Sequence, residues 1–401
     1  MSIINHGFVR WSVATVLLFA AVSAILLWYS RRPEVRLQWA REEAEAVRDS
    51  GNMRARELHG KKCIEISRTL IDRPDRIGYT ASLFIICVAP ETGEDISDVL
   101  LPSERQVETL LTPDLILISR LFFHTKRIAP SDQLIHLILS RKDDHRADAL
   151  RLAIMVRFEL GRDADVINHC DELSKLSPKD ANPYRVKAMV HRNHGHWDHF
   201  IDAAEKAFEL DGRTDAQLQI ELIDGYVRLG QTQDARRELN SVTENNPELV
   251  AQIPVIVSRL LLQEGKNDDA FETNSHYLAT SPDDVESLIL HGQLLIGKAK
   301  FDEAIVALKH AIDLSPSEEL AWFQLGQAYA RTANAEEAQV AMQKHRSILD
   351  TKIQLNSLEA LAAREPTNII VRTELARLYG QLGNTELADF WTRAANAAQG
   401  K

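Results

Sequence analysis

The sequence predicts an all-α fold: a right-handed α-solenoid of antiparallel helix pairs, preceded by one transmembrane helix. Three observations carry this. Residues 11–29 form one uncharged apolar run. Pro, Gly and Ala recur from residue 161 onward at intervals of 34 or 35 residues or twice that. Pro and Gly are otherwise sparse, at 13 and 17, which favours long helices over turn-rich β structure. At 401 residues the chain exceeds one ordinary compact domain, as an extended array does.

After a short N-terminal tail, residues 1–10, the apolar run reads WSVATVLLFAAVSAILLWY. As a helix it spans about 28 Å, close to the hydrocarbon thickness of a bilayer. Trp11 stands at one end and Trp28 and Tyr29 at the other, where aromatics sit at headgroup level. Arg10 and the pair Arg31 and Arg32 close the ends, giving a transmembrane helix over residues 11–30. A cleavable signal peptide is the competing reading, with Val22-Ser23-Ala24 as the small-residue site. The apolar run continues past it as ILLWY, which argues for an uncleaved anchor. Arg31, Arg32, Arg36 and Arg41 place the soluble part on the cytoplasmic face by the positive-inside rule. The shortness of the N-terminal tail argues for the opposite topology. The expectation is a single-pass membrane protein whose soluble part leans cytoplasmic.

Residues 31–146 read as a helical linker or degenerate repeats. Segments 34–49 and 52–72 are helical, with Pro74 as a stop. The stretch TASLFIICVA, residues 80–89, suits a buried helix or a strand, and its helical neighbours favour a helix. Segments 113–127 and 131–141 read as further helices, and 90–103 as a mobile loop.

From residue 147 the periodicity is explicit. Pro178, Pro247, Pro282 and Pro316 are 69, 35 and 34 residues apart. Gly161, Gly195, Gly230 and Gly265 are 34, 35 and 35 apart, and Ala235, Ala270, Ala304 and Ala338 are 35, 34 and 34 apart. Two antiparallel helices and two short turns need about this length. Proline stops each second helix, and small residues lie where the two helices of a pair approach closely. One pair cannot bury its apolar face alone, so the copies must stack.

In these residues the chain resembles the tetratricopeptide repeat (TPR) family, whose helix A carries an aromatic, Leu-Gly and Tyr and whose helix B carries spaced alanines before a proline. Copy 319–352 matches through Trp322, Leu325, Gly326, Tyr329 and Ala338. Copy 285–318 matches through Gly292, Ala304, Leu308, Ala311 and Pro316. Copy 216–250 matches through Leu222, Tyr226, Gly230, Ala235, Leu239 and Pro247. Copies 147–180, 181–215 and 251–284 are weaker, and a terminal copy, 369–401, keeps Leu375, Tyr379, Gly383, Ala388 and Ala395. Residues 147–401 thus read as a TPR-like array. Between its last two copies, residues 335–364 lack Pro and Gly and predict one helix of about 45 Å. Ala341, His345, Ile348, Leu355, Leu358 and Ala362 mark a stripe along it. That stripe either packs on the last repeats or serves docking and self-association.

The resemblance implies that helix A lines a concave groove. Its groove positions fall on Arg151, Met155 and Phe158, then Arg185, Met189, Arg192 and Asn193, then Arg228, Arg259, Gln293, Phe323, Gln327, Arg331 and Arg377. Seven of these are arginines in a chain of net charge −11. Guanidinium forks suit carboxylates, and Met and Phe suit apolar anchors, so an extended peptide bearing acidic residues or a free carboxy terminus is the expected partner. The bland alternative is that these arginines pair with acids on adjacent repeats. The family's carboxylate-clamp class is disfavoured, because its asparagine position holds Met155, Met189, Asp224, Arg259, Gln293 or Gln327.

The segment HRNHGHWDHF concentrates His191, His194, His196 and His199. Close imidazoles can bind zinc or nickel, which would make a metal enzyme or sensor. The cluster also coincides with the turn between helices A and B, where Gly195 is the turn glycine and a solvated turn suffices. Cys63, Cys87 and Cys170 form no CxxC pair and read as buried side chains. No phosphate-binding glycine loop, GxSxG or HExxH occurs. The acidic balance disfavours nucleic acid. The expectation is therefore a membrane-anchored interaction scaffold rather than an enzyme, with no cofactor and with a protein partner. Self-association through 335–364 is the structural alternative.

Overall fold

The computed structural model describes residues 30–141, 143–365 and 368–398, and every regular element among them is an α-helix. The transmembrane helix expected over residues 11–30 lies, apart from Ser30, outside the described residues. Among the described residues no helix is long and apolar enough to cross a membrane. On that finding the reading of the chain as a single-pass membrane protein, with its fold class led by a membrane helix, does not stand. The 17-residue apolar helix that is described, Arg76–Thr92, covers its surface with protein side chains.

The chain divides into two compact units, Met1–Pro183 and Tyr184–Lys401. In the first, α1 (Pro33–Asp49), α2 (Met53–Arg68) and α3 (Arg76–Thr92) pack on one another, and a single turn, α4 (Glu104–Val107), leans on α3. The hairpin α5 (Thr112–His124) and α6 (Ile128–Ser140) follows, then α7 (Arg146–Glu159) and α8 (Asp163–Leu176). Every residue from Ile77 to Ala89 except Tyr79 is buried, because α1, α2, α4 and α5 all contact α3. This accounts for the unpatterned apolar run that sequence periodicity alone leaves undecided between helix and strand.

Two local features fix α3. Asp75 caps it by accepting hydrogen bonds from the Ile77 and Gly78 backbone amides. Gly78 is required there, since a Cβ would fall 2.2 Å from the Arg73 carbonyl oxygen. Near the other end Pro90 lies inside the helix and has no N–H to give the carbonyl of Ile86. The Arg127 guanidinium supplies that donor at 3.1 Å.

In the second unit, consecutive helices pair and stack. They are α9 (Asn182–Asn193, whose first two residues belong to the first unit), α10 (Trp197–Asp211), α11 (Ala216–Arg228) and α12 (Thr232–Asn245). A short turn, α13 (Pro247–Val250), leads to α14 (Pro254–Gln263), α15 (Asn267–Thr280), α16 (Val285–Gly297) and α17 (Phe301–Leu314). Then come α18 (Glu319–Arg331), α19 (Ala335–Arg364), α20 (Ile369–Gln381) and α21 (Thr385–Ala398). The repeat alanines Ala235, Ala270 and Ala304 are fully buried between helices. Trp322, the repeat aromatic, donates its indole N–H to the Pro316 carbonyl at 2.9 Å, tying helix A to the turn before it.

One turn recurs in both units. At Gly161, Gly195, Gly230, Gly265 and Gly383 a residue with φ between 65° and 76° ends helix A, and the next amide bonds five residues back. This is the Schellman closure. The same turn occurs without glycine at Lys126 (φ 60°), Ala299 (φ 57°) and Ala333 (φ 59°). Lys126 precedes Gly161 by 35 residues and the amide of Arg127 bonds to the Phe122 carbonyl. The α5–α6 hairpin is therefore in phase with the later copies although no glycine marks it.

The long helix α19 runs as one piece over Ala335–Arg364. Its first half joins the core of α16–α18 through Ala341. Its second half joins a separate core with α20 through Leu355 and Ala362. Ala341, Ile348, Leu355 and Ala362 of its stripe are buried within the unit, while Leu349 and Ile353 stay exposed.

Candidate partner-binding face

Helix-A members of the second unit touch directly along α11, α14, α16 and α18. They therefore form a continuous helical surface on which residues one repeat apart can meet. Behind it, Tyr226 donates its hydroxyl to Glu205 at 2.7 Å, and Arg213 joins Glu205 at 2.8 Å to Glu238 at 2.6 Å. Burial pushes the Glu238 carboxyl up, opposed by the nearby Arg213 guanidinium. This network ties α10, α11 and α12 together and leaves the outward face of α11 for other contacts.

That face carries a network of two arginines and two acids. Arg228 meets Asp224 one turn away at 2.6 Å and Glu286 of α16 at 3.5 Å. Arg259 of α14 donates to Glu286 at 2.6 Å and lies 3.5 Å from Asp224. The Arg228 guanidinium also covers the Trp197 ring, 4.8 Å from its centroid. The charges sum to zero, so the surface is locally neutral despite its arginines.

The other expected groove positions fall as follows. Arg185 pairs with Asp211 and, at 3.5 Å, with Asp215. Arg192 pairs with Glu221 of α11. Arg377 bonds to Glu374 on its own helix at 2.8 Å. In the first unit Arg151 meets Asp148 and Asp180, both at 3.1 Å. Six of the seven arginines thus hold ion pairs, and Arg331 is exposed with no such partner among the described residues. Gln293 and Gln327, 34 residues apart, are also exposed without a hydrogen-bond partner among the described residues. Met155 and Met189 are exposed, as is Asn193, whereas Phe158 and Phe323 are half-buried. The Phe323 ring stands 5.3 Å from that of His345.

Sequence reasoning weighed pairing with acids on adjacent repeats as the alternative but named none of those acids. Arg151, Arg185, Arg192 and Arg259 each meet a carboxylate 26 to 29 residues further on, at Asp180, Asp211, Glu221 and Glu286. That offset is somewhat less than one repeat, and the acids lie between the end of the next helix B (Asp211) and the middle of the next helix A (Glu221). An acid at that distance after a helix-A arginine was the available signal.

The histidine cluster is real in space. His191 and His199 have ring centroids 5.1 Å apart, His194 and His196 5.8 Å, and His191 and His196 6.2 Å. Gly195, at φ 68°, turns the chain so that the end of α9 and the start of α10 bring these rings together. His191 is held below the usual histidine range by burial, with the neighbouring imidazoles His199 and His196 acting in the same direction. Among the described residues no group of three or more His, Cys, Asp or Glu is arranged to hold a metal ion. Cys63, Cys87 and Cys170 are buried and free, and burial pushes the Cys63 thiol up to about 12.

Comparison with known proteins bears on the fold. A family model described as ChAPs (Chs5p-Arf1p-binding proteins) matches residues 162–345, somewhat less than half of the chain. No curated protein matches the sequence. Among solved structures, a tetratricopeptide repeat protein from Parabacteroides merdae is similar at 12% identity, with a TM-score of 0.50 over 59% of this chain and 93% of that one. The fold is that of a tetratricopeptide-like helical array. YrrB, described as a TPR protein with an unusual peptide-binding site, is similar at 19% identity and a TM-score of 0.30, over 45% of this chain and 91% of its own. MamA AMB-1 is similar at 22% identity and a TM-score of 0.32, over 42% and 98%. At these identities the likeness speaks to fold alone.

Proposed function

We propose that the chain is a protein-interaction scaffold without catalytic role, which holds an extended segment of a partner along the helix-A face of residues 216–331. The observation that carries this is the pair Gln293 and Gln327. They occupy equivalent positions of adjacent repeats, both exposed and both without a partner among the described residues. Each amide offers a donor and an acceptor, which is what the backbone of an extended peptide requires. Arg331 adds an uncommitted cation beyond them, and half-buried Phe323 adds an apolar contact. The ChAPs description, which names proteins that bind other proteins, supports the same class.

The ion pairs modify the acidic-peptide expectation. Acidic residues of the partner would exchange with Asp224 and Glu286 for Arg228 and Arg259, rather than meet bare guanidiniums. Such an exchange gives selectivity with modest net gain, since one carboxylate replaces another.

Site-specific photocrosslinking tests the reading. A benzophenone side chain at position 293 or 327 of the full-length chain should capture the same protein, and Arg259→Glu should abolish capture with helicity retained. The same probe at Val306, exposed on α17, should not capture it. Identical products from all three positions would defeat the helix-A assignment.

A further inference from the structure

The first unit holds a cleft of about 620 Å³ bounded by the start of α1, the 73–75 turn, the first turn of α3, and α4 with the turn after it. Its polar lining divides into groups already engaged and groups left over. The Asp75 carboxylate accepts from two backbone amides of α3 and pairs with Arg73 at 2.5 Å. Its acceptor capacity is taken up, and the Arg73 hydrogen bond holds its carboxyl below the usual range. The first-turn amides of α3 are taken up with it, so a ligand in the cleft would meet side chains. Gln106 closes a capping box, its Oε1 accepting from the Ser103 amide at 2.8 Å and the Ser103 hydroxyl at 2.9 Å. That leaves its amide nitrogen as the free function.

The groups left over are donors. Arg76 and Arg105 line the cleft, and their guanidiniums have no carboxylate or hydrogen-bond partner among the described residues. Five other guanidiniums of this unit, those of Arg41, Arg48, Arg56, Arg68 and Arg73, hold acids, whereas Arg36 bonds only to the Ser30 carbonyl among the described residues. Tyr79 also lines the cleft, and its hydroxyl has no hydrogen-bond partner among the described residues. Glu34 at the rim is, among the described residues, the one uncommitted carboxylate of the lining. Two planar forks, a phenol and an amide N–H facing one space suit a ligand with several acceptor oxygens, in a chain whose net charge would otherwise repel it.

We propose that this cleft binds a phosphoryl oxyanion, gripped by the Arg76 and Arg105 guanidiniums and oriented by Tyr79 and Gln106. The proposal is independent of the partner-binding reading, which concerns the other unit. The phosphoryl group could belong to a soluble ester or to a lipid headgroup, and the chemistry of the grip is common to both.

Isothermal titration of the full-length chain with inorganic pyrophosphate tests it. Saturable binding is expected. Arg76→Ala combined with Arg105→Ala should weaken it by about tenfold or more, since removing even one charge-assisted hydrogen bond weakens binding by about that factor. Glu34→Gln should strengthen it by removing the opposing charge that, unlike Asp75, is held in no ion pair among the described residues. All three side chains are solvent-facing and outside the core, so helicity by circular dichroism should match the parent. Co-sedimentation with phosphatidylcholine vesicles, with and without phosphatidic acid, distinguishes the sources. Capture by the acidic vesicles that requires both arginines places the group on a lipid, and pyrophosphate binding without vesicle capture places it on a soluble ester. Absence of pyrophosphate binding, or binding that the double arginine variant retains, overturns the proposal.

Discussion

Arg259 and Glu286, on helices of neighbouring repeats, close at 2.6 Å across the helix-A face. The same carboxylate stands 3.5 Å from Arg228. Glu286 is therefore an internal stand-in for any acidic side chain a partner would bring. If the face takes an acidic segment, Glu286→Gln should raise partner affinity several-fold by leaving Arg228 and Arg259 with Asp224 as their one shared carboxylate. Its effect on stability should stay within about 1 kcal/mol, because the Glu286 carboxylate is exposed and Asp224 still faces Arg259. Binding measured on the captured partner decides this, and weaker binding would show that Glu286 itself contacts the partner.

The left-handed turn residues give a stability prediction. Ala299 and Ala333 hold φ near 57° and 59°, where a Cβ crowds the following carbonyl. Ala299→Gly and Ala333→Gly should each stabilise the chain by about 1 kcal/mol. Gly230→Ala, at φ 70°, should destabilise it by a similar amount. Thermal melts of the three variants would show the opposite signs, and equal signs would contradict the turn assignment.

Arg127 offers a second test. Its guanidinium is the donor to the Ile86 carbonyl that Pro90 leaves without one. Arg127→Met should cost about 1–3 kcal/mol by orphaning a buried acceptor. Pro90→Ala in that background should recover part of the loss, because the alanine N–H restores the intrahelical bond. Amide hydrogen exchange over residues 76–92 reports the effect locally.

Close packing of helices A and B is testable at Gly292, where a Cβ would lie 2.5 Å from Leu308 Cγ. Gly292→Ala should destabilise by about 1–3 kcal/mol through overpacking. Leu308→Ala combined with it should cost less than the sum of the two single changes, since each relieves the other. Urea denaturation across the four-member cycle measures that coupling.

The chain should lose stability between pH 7 and 5.5. His169, His191, His124 and His291 are all held below the usual histidine range, each chiefly by burial. A lowered folded-state value means that the unfolded chain takes up protons first. Stability is intact above the unfolded value, near 6.5, and falls as pH drops below it toward the folded value. His291→Gln should reduce the drop in melting temperature over this window. A pH-independent melting temperature from 7 to 5.5 would contradict the burial argument.

The candidate face shows where sequence reasoning reached and where it stopped. Its positions were projected from repeat phase, and of these Gln293 and Gln327 are exposed. The charge state of the surface did not follow, because Arg259 meets an acid 27 residues away and on another helix. The turn at Lys126 was also hidden, since a lysine there gives no local cue for a left-handed backbone.

By itself, then, the sequence determined the helical pairs, their period, their glycine turns and the proline stops. These are set by backbone preferences within a few residues and repeated often enough to be read. It also determined the long helix over 335–364, because nothing in that stretch interrupts one. Only the tertiary structure decided that α3 is covered on nearly every side, that Arg127 mends its proline, and that one long helix serves two cores. It alone decided which arginines are neutralised and which, at Arg76 and Arg105, are left facing a cleft. Each of these depends on which side chains from distant positions meet, and on where burial leaves a polar group in need of a partner. A repeat period fixes the spacing of such groups but not their pairing.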